Sequence, residues 1–189
     1  MSFPLRPVVG ATAVLSLLAA LPVQAQTLQS AARALDAAGT RSLQLSGSGS
    51  WFQFGQAPDP SLPWPRFEVS RYVADIDYEK GSARVQINRI QALEAGRERP
   101  VPVEQKVDQY VSGPVAWNLP VVATGGAPAA PVPQLAAVAE RSAEILSTPQ
   151  GFLRAALASK ARPRPLKGGG SEVVYTVGGK YRFVGHINE

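Results

Sequence analysis

Between Leu43 and Ser112, apolar and polar residues alternate repeatedly with a period of two, and no other feature limits the fold as much. Leu43 and Leu45 alternate with Gln44 and Ser46; Val85 and Ile87 oppose Arg84, Gln86 and Asn88; Val107 and Val111 oppose Lys106 and Asp108. Residues two apart in a strand share a face, so each segment has one dry side and one wet side. A parallel sheet covered on both faces would read as continuous apolar runs instead. These segments therefore call for antiparallel, meandering strands.

Two interruptions refine that reading. Phe67 and Val69 fall on one face of their strand, while Tyr72, Ala74, Ile76 and Tyr78 fall on the other. A period of two cannot switch phase without a bulge, a twist or a change of cover. The run Ser46-Gly47-Ser48-Gly49-Ser50 removes all bulk before Trp51-Phe52-Gln53-Phe54 restores it. Such a run marks a bulge, a close backbone approach or a flexible break. Pro58, Pro60, Pro63 and Pro65 make 57–65 an extended loop.

Helices and a hairpin complete the order. Leu28, Ala31, Ala32 and Leu35 share a helical stripe over 27–38, with Gly39 as its stop. Strands are expected over 104–112 and 115–119, then a Pro- and Ala-rich mobile loop over 123–133. A helix comes next over 134–146, and Thr148-Pro149 caps and starts another through Leu157. Val173 to Val177 and Tyr181 to Ile187, joined by Gly178-Gly179, read as a hairpin on a two-glycine turn. The expected fold is α+β, a curved antiparallel sheet of about six or seven strands with one face covered by two or three helices. The sequence stops at Asn188-Glu189 directly after a strong strand, so the sheet is expected to end on an open edge, as in a fragment of something longer.

The N-terminus points to export. Arg6 is the only charge before Arg33, an apolar run spans Val8 to Leu21, and Val23-Gln24-Ala25 offers compact residues for cleavage. Residues 1–25 thus read as a signal peptide, and 26–189 as one β-rich domain. An uncleaved anchor or buried helix is the alternative, but the run is short of the ~20 residues a span needs. No cysteine occurs, which excludes a lipidated anchor, disulfides and thiolate metal sites. These features imply a periplasmic location, or a secreted one. The formal charge of +5 is too mild for a nucleic-acid binder.

Catalytic chemistry finds little support in the residues. The only histidine is His186, on the face of its strand shared with Arg182 and Val184. One histidine cannot build a zinc site or supply a triad without neighbours. Ser48 and Ser50 lie mid-strand and not at a nucleophile elbow. Asp75 and Asp77 share a strand face about 7 Å apart, a spacing that a solvated face also produces. Gly168-Gly169-Gly170 leads into a strand and not a helix N-terminus. Two candidate binding features remain. Trp51, Trp64 and Trp117 are candidate contacts for an apolar ligand or seals of the core. Arg154, Lys160, Arg162, Arg164 and Lys167 accumulate in a stretch without acids, a candidate patch for headgroups or an acidic partner.

Several segments carry a resemblance. Ser46-Gly47-Ser48-Gly49, Gly55-Gln56-Ala57-Pro58 and Pro63-Trp64-Pro65 resemble the opening of exported proteobacterial hydrolases with a metallo-β-lactamase fold. Gln109-Tyr110-Val111-Ser112-Gly113-Pro114-Val115-Ala116-Trp117-Asn118 is similar to a strand and turn of those proteins. So are Ala139-Glu140-Arg141, Leu146-Ser147-Thr148-Pro149-Gln150-Gly151-Phe152-Leu153-Arg154-Ala155-Ala156, and Gly179-Lys180-Tyr181 through Asn188. The resemblance implies an N-terminal β-sheet domain that precedes a zinc hydrolase domain. No H-x-H-x-D-H occurs, so no metal or catalytic residue carries over. The same resemblance therefore implies a non-catalytic accessory domain without a cofactor, partnered by a hydrolase domain; the open C-terminal strand edge at Tyr181 to Ile187 adds pairing with another chain as a further candidate partnership. The alternative is a stand-alone carrier of a lipid or other apolar ligand, as the sheet is also like that of periplasmic lipoprotein-sorting carriers.

Overall fold

The computed structural model describes residues 23–57, 59–93, 102–121, 127 and 129–188. The proposed signal segment up to residue 22 lies outside the described residues, as do Pro58 and most of the glycine-containing part of the 123–133 loop. The architecture is α+β, as the alternation predicts. Strands β1 (Ser42–Phe52), β2 (Arg66–Asp77), β3 (Ser82–Gln91), β4 (Gln105–Ser112), β5 (Val115–Asn118) and β6 (Val132–Pro133) form one sheet in sequential order, every neighbour antiparallel.

The phase change in β2 is a bulge at Ser70. Val69 pairs with Gly49 and Arg89, and Arg71 pairs with Asn88, so Ser70 has no opposite number in β3. That extra residue returns Tyr72, Ala74 and Ile76 to the face of Phe67 and Val69. β1 runs unbroken through its glycines, and the irregularity sits opposite them, in β2. One inner face results. It carries Leu45, Gly47, Gly49 and Trp51 of β1, with Val85, Ile87 and Arg89 of β3 and Val107, Gln109 and Val111 of β4 in register. The outer face is polar, with Arg84 bridging to Asp108 through bonds of 2.9 and 2.8 Å.

The C-terminal hairpin departs from expectation in two ways. Val177 pairs with Tyr181, so Lys180 joins Gly178 and Gly179 in a three-residue turn, with both glycines at positive φ (59° and 68°). The hairpin also stays apart from the six-stranded sheet. β7 (Arg164–Pro165), β8 (Ser171–Val177) and β9 (Tyr181–Ile187) form a second, three-stranded sheet. Its apolar face already has a cover of its own: Val173, Tyr175, Val177, Phe183 and Ile187 pack with Leu28, Ala32, Leu153 and Ala156.

Those helical residues come from α1 (Val23–Ala34) and α3 (Pro149–Ala158). α1 ends four residues earlier than its apolar stripe predicts, in turns where Asp36 takes a positive φ of 44° and accepts from Gly39 N at 3.2 Å. The expected helix over 134–146 begins as a 3₁₀ turn at Leu135–Ala137 and becomes α2 at Val138–Leu146. α2 lays Ile145 and Val138 on Ile76, Val111 and Ala116 of the large sheet, a second core. Thr148 caps α3 as its sequence predicts, accepting from Gly151 N at 3.3 Å with Pro149 in the first turn.

Candidate functional site

α2 covers only part of the large sheet. Beyond the rows that Ile145 and Val138 seal, Val69, Tyr72, Val85, Ile87 and Val107 stay half-exposed on the inner face. They floor a cavity of about 460 Å³, walled on the helix side by Ala137, Glu140, Arg141 and Glu144. A second cavity of about 350 Å³ shares Tyr72, Val85, Gln109, Arg141 and Glu144 with it, so the space continues under the end of α2. The volume lies within the range of about 300–1,000 Å³ usual for ligand pockets. Gly47 and Gly49 open the side over the edge strand. Gly49 lines the trough and Gly47 shares its face of β1, and among the described residues a Cβ on either would meet nothing within 4 Å.

The charged groups divide into two sets. On α2, Arg141 is buried and spends its donors on the carbonyls of Tyr110 (3.0 Å) and Trp117 (2.9 Å) and on Asn118 Oδ1 (2.8 Å). Burial holds its guanidinium below the usual value, against the opposing pull of Glu144 and Glu140. Crowding by protein atoms raises the Glu144 carboxyl above its ordinary range; Glu140 adds to the rise and Arg141 opposes it. Much of the Glu144 side chain still reaches water. Burial, then Glu144, raises the Tyr72 hydroxyl. Arg89 stands apart on the sheet. Its guanidinium lies 3.4 Å from the Trp51 ring centroid and 4.7 Å from that of Phe67, while Nε donates to Gln105 Oε1 at 2.9 Å.

The candidate tryptophans go to three places. Trp51 lines the trough. Trp64 packs edge-on to Phe54 in the loop before β2, with ring centroids 4.4 Å apart. Trp117 stacks on Tyr110 on the outer face at 5.1 Å, away from the trough. Arg154 leaves the candidate basic patch, since its guanidinium binds the carbonyls of Ala37, Ala38 and Thr40 and lies over the Tyr78 ring. Lys160, Arg162, Arg164 and Lys167 stay exposed around the segment joining α3 to β8.

The other catalytic candidates are likewise placed on the surface. His186 is exposed, its Nε2 3.7 Å from Glu172 Oε2. Asp77 caps the β2–β3 turn, accepting from Glu79 N and Lys80 N at 3.0 and 2.9 Å. Asp75 accepts from Gln44 Nε2 at 2.5 Å, so the two carboxylates serve separate neighbours. Among the described residues no three His, Cys, Asp or Glu side chains gather as a metal site, and no helix is long and apolar enough to cross a membrane.

Sequence reasoning missed Arg89, Tyr72 and Glu144 as site residues. For Arg89 the signal is legible afterwards: two residues beyond Ile87, it continues the apolar phase of Val85 and Ile87 with a charge. Gly47 and Gly49 likewise sit in phase with Leu43 and Leu45. In comparisons with known proteins, the chain matches no family model, no curated protein and no solved structure.

Proposed function

We propose that the trough between the large sheet and α2 binds the chain of a lipid or similar apolar ligand, and that the protein works as an exported, non-catalytic binding domain. One observation carries this reading: an apolar floor of Val69, Tyr72, Val85, Ile87 and Val107 is left without protein cover among the described residues and opens beside Gly49. Each methylene moved from water onto such a floor contributes about 0.8 kcal/mol. An acyl chain gains from this surface without any specific polar partner. The export reading of residues 1–25 supports a periplasmic or secreted setting.

Native mass spectrometry of the gently purified chain tests the proposal, with an acyl-bearing adduct as the expected result. Repeated apo masses, together with no uptake of added dodecanoate or dodecanol, would overturn it. Gly47→Leu gives an independent check. Gly47 lies on the inner face beside the lining residue Gly49, and a Cβ there meets no described atom within 4 Å, so the added side chain reaches toward the trough: binding should fall at least about tenfold while thermal stability stays within about 0.5 kcal/mol of wild type.

A second reading, the accessory domain of a metallo-β-lactamase-fold hydrolase, is favoured by the edge position of β9, whose far side has no partner strand among the described residues. In that case a hydrolase domain or another chain adds to this edge. Metal analysis bears on the non-catalytic character shared by both readings. Zinc at one or two equivalents, with a hydrolytic activity lost on chelation, would sink it.

A further inference from the structure

Arg89 is an unusual group to find on the floor of an apolar trough. Its position alternates in phase with Val85 and Ile87, and an apolar residue there would avoid the cost of desolvating a charge. Trp51 and Phe67 offset part of that cost through cation–π contact. Holding Trp51 in place does not itself require a charge, since a methionine or leucine would also pack on the ring.

What the charge leaves over is a set of donors. A guanidinium has five N–H groups. Only Nε is engaged, with Gln105, and the guanidinium makes no other hydrogen bond and no ion pair among the described residues. No buried side-chain nitrogen or oxygen lacks a partner there, so the terminal nitrogens of Arg89 are open to the trough and not sealed in. The carboxylates across the cavity do not satisfy them. Glu140 and Glu144 act on Arg141, whereas burial alone lowers the Arg89 guanidinium. A planar fork of unspent donors, backed by aromatic rings and desolvated by apolar neighbours, is suited to a bidentate carboxylate or phosphate.

We infer that the trough's ligand is an anionic amphiphile, whose carboxylate or phosphate head sits on Arg89 while its chain lies along Ile87, Tyr72 and Val107. This rests on the trough's being a binding site. The head and the chain are then recognised by neighbouring rows of one sheet, one row charged and the next apolar.

The test titrates the full chain with dodecanoate, dodecyl phosphate, 1-dodecanol and dodecylammonium, following tryptophan fluorescence and calorimetric heat. Acetate and inorganic phosphate serve as heads without chains. Both anionic amphiphiles should bind at least about tenfold tighter than dodecanol, as a hydrogen-bonded charge predicts. Acetate and phosphate alone should bind far more weakly. Arg89→Met should bring dodecanoate down to the level of dodecanol while dodecanol binding persists, which also shows that the variant folds. Arg89→Lys should keep part of the preference.

Equal binding of acid and alcohol by the wild type would overturn the inference and leave the trough as an apolar site. A preference for dodecylammonium would overturn it in favour of the α2 carboxylates. Tight binding of bare phosphate or acetate would replace the amphiphile with a free anion. If none of the four chains binds, the proposed function fails, and this inference with it.

Discussion

One hydroxyl proton settles how Thr148 joins three elements. Its Oγ1 donates to Ile145 O at 2.8 Å, so the Tyr78 hydroxyl, 2.7 Å away, must donate to it, as does Gly151 N. Thr148 is buried, and its removal strands a phenol and a helix N-terminus together. Thr148→Val, which keeps the shape, is expected to cost about 1–3 kcal/mol, read as a lower urea midpoint at unchanged slope. Tyr78→Phe should cost less, and the double variant less than the sum. Glu144 gives a prediction of the opposite sign. Crowding raises its folded carboxyl, so the native state keeps a proton over a range where the unfolded chain has lost it. Its contribution to stability therefore falls as pH rises through that range. Glu144→Gln should melt higher than wild type at about pH 7, and the gap should close below about pH 4, where the carboxyl is protonated in both states. A gap that is constant across pH would refute the assignment.

The join between α2 and α3 shows what an element demands of a single position. Gly→Ala within a helix ordinarily stabilises by about 0.4–1 kcal/mol. At Gly151 an added Cβ would run into Ile145 O and the Thr148 hydroxyl, because the end of α2 presses on the first turn of α3. Gly151→Ala should thus destabilise, by about 1–3 kcal/mol, measurable in the same urea titration. A stabilised variant would mean that the two helices separate more easily than their packing suggests. The Thr-Pro pair that starts α3 is readable in the sequence, and so is the phase slip in β2, because caps and strand periods are local properties. Which sheet the last hairpin joins is not local. Alternation in β8 and β9 tells which side is dry, but only packing decides that α1 and α3 supply the cover. The site obeys the same rule. Trp51 stands out by residue type, yet the value of Arg89 and of the two glycines depends on where α2 stops covering the sheet.

The whole molecule contains two cores, one under α2 on the large sheet and one between the small sheet, α1 and α3. Arg154 sits where they meet. It projects from α3 of the small core, binds the carbonyls of Ala37, Ala38 and Thr40 in the segment linking α1 to β1, and lies over Tyr78 at the end of β2. Thr148 and Tyr78 make the neighbouring tie. Two cores tied in this way unfold together only if the ties hold. Arg154→Met keeps the length of the side chain and removes its donors, so it should cost about 2–4 kcal/mol, given that hydrogen bonds from charged groups contribute ~1.5–3 kcal/mol. The loss should fall unevenly. Trp51 and Trp117 lie in the large sheet and Trp64 in the loop leading to β2, so tryptophan fluorescence reports on that half alone. In the wild type, fluorescence and hydrogen exchange at β8 and β9 should give one coincident urea transition. In Arg154→Met, β8 and β9 should lose protection first, at a denaturant concentration where fluorescence is still native. Transitions that stay coincident in the variant would show that apolar packing between α2 and α3, not Arg154, couples the two cores.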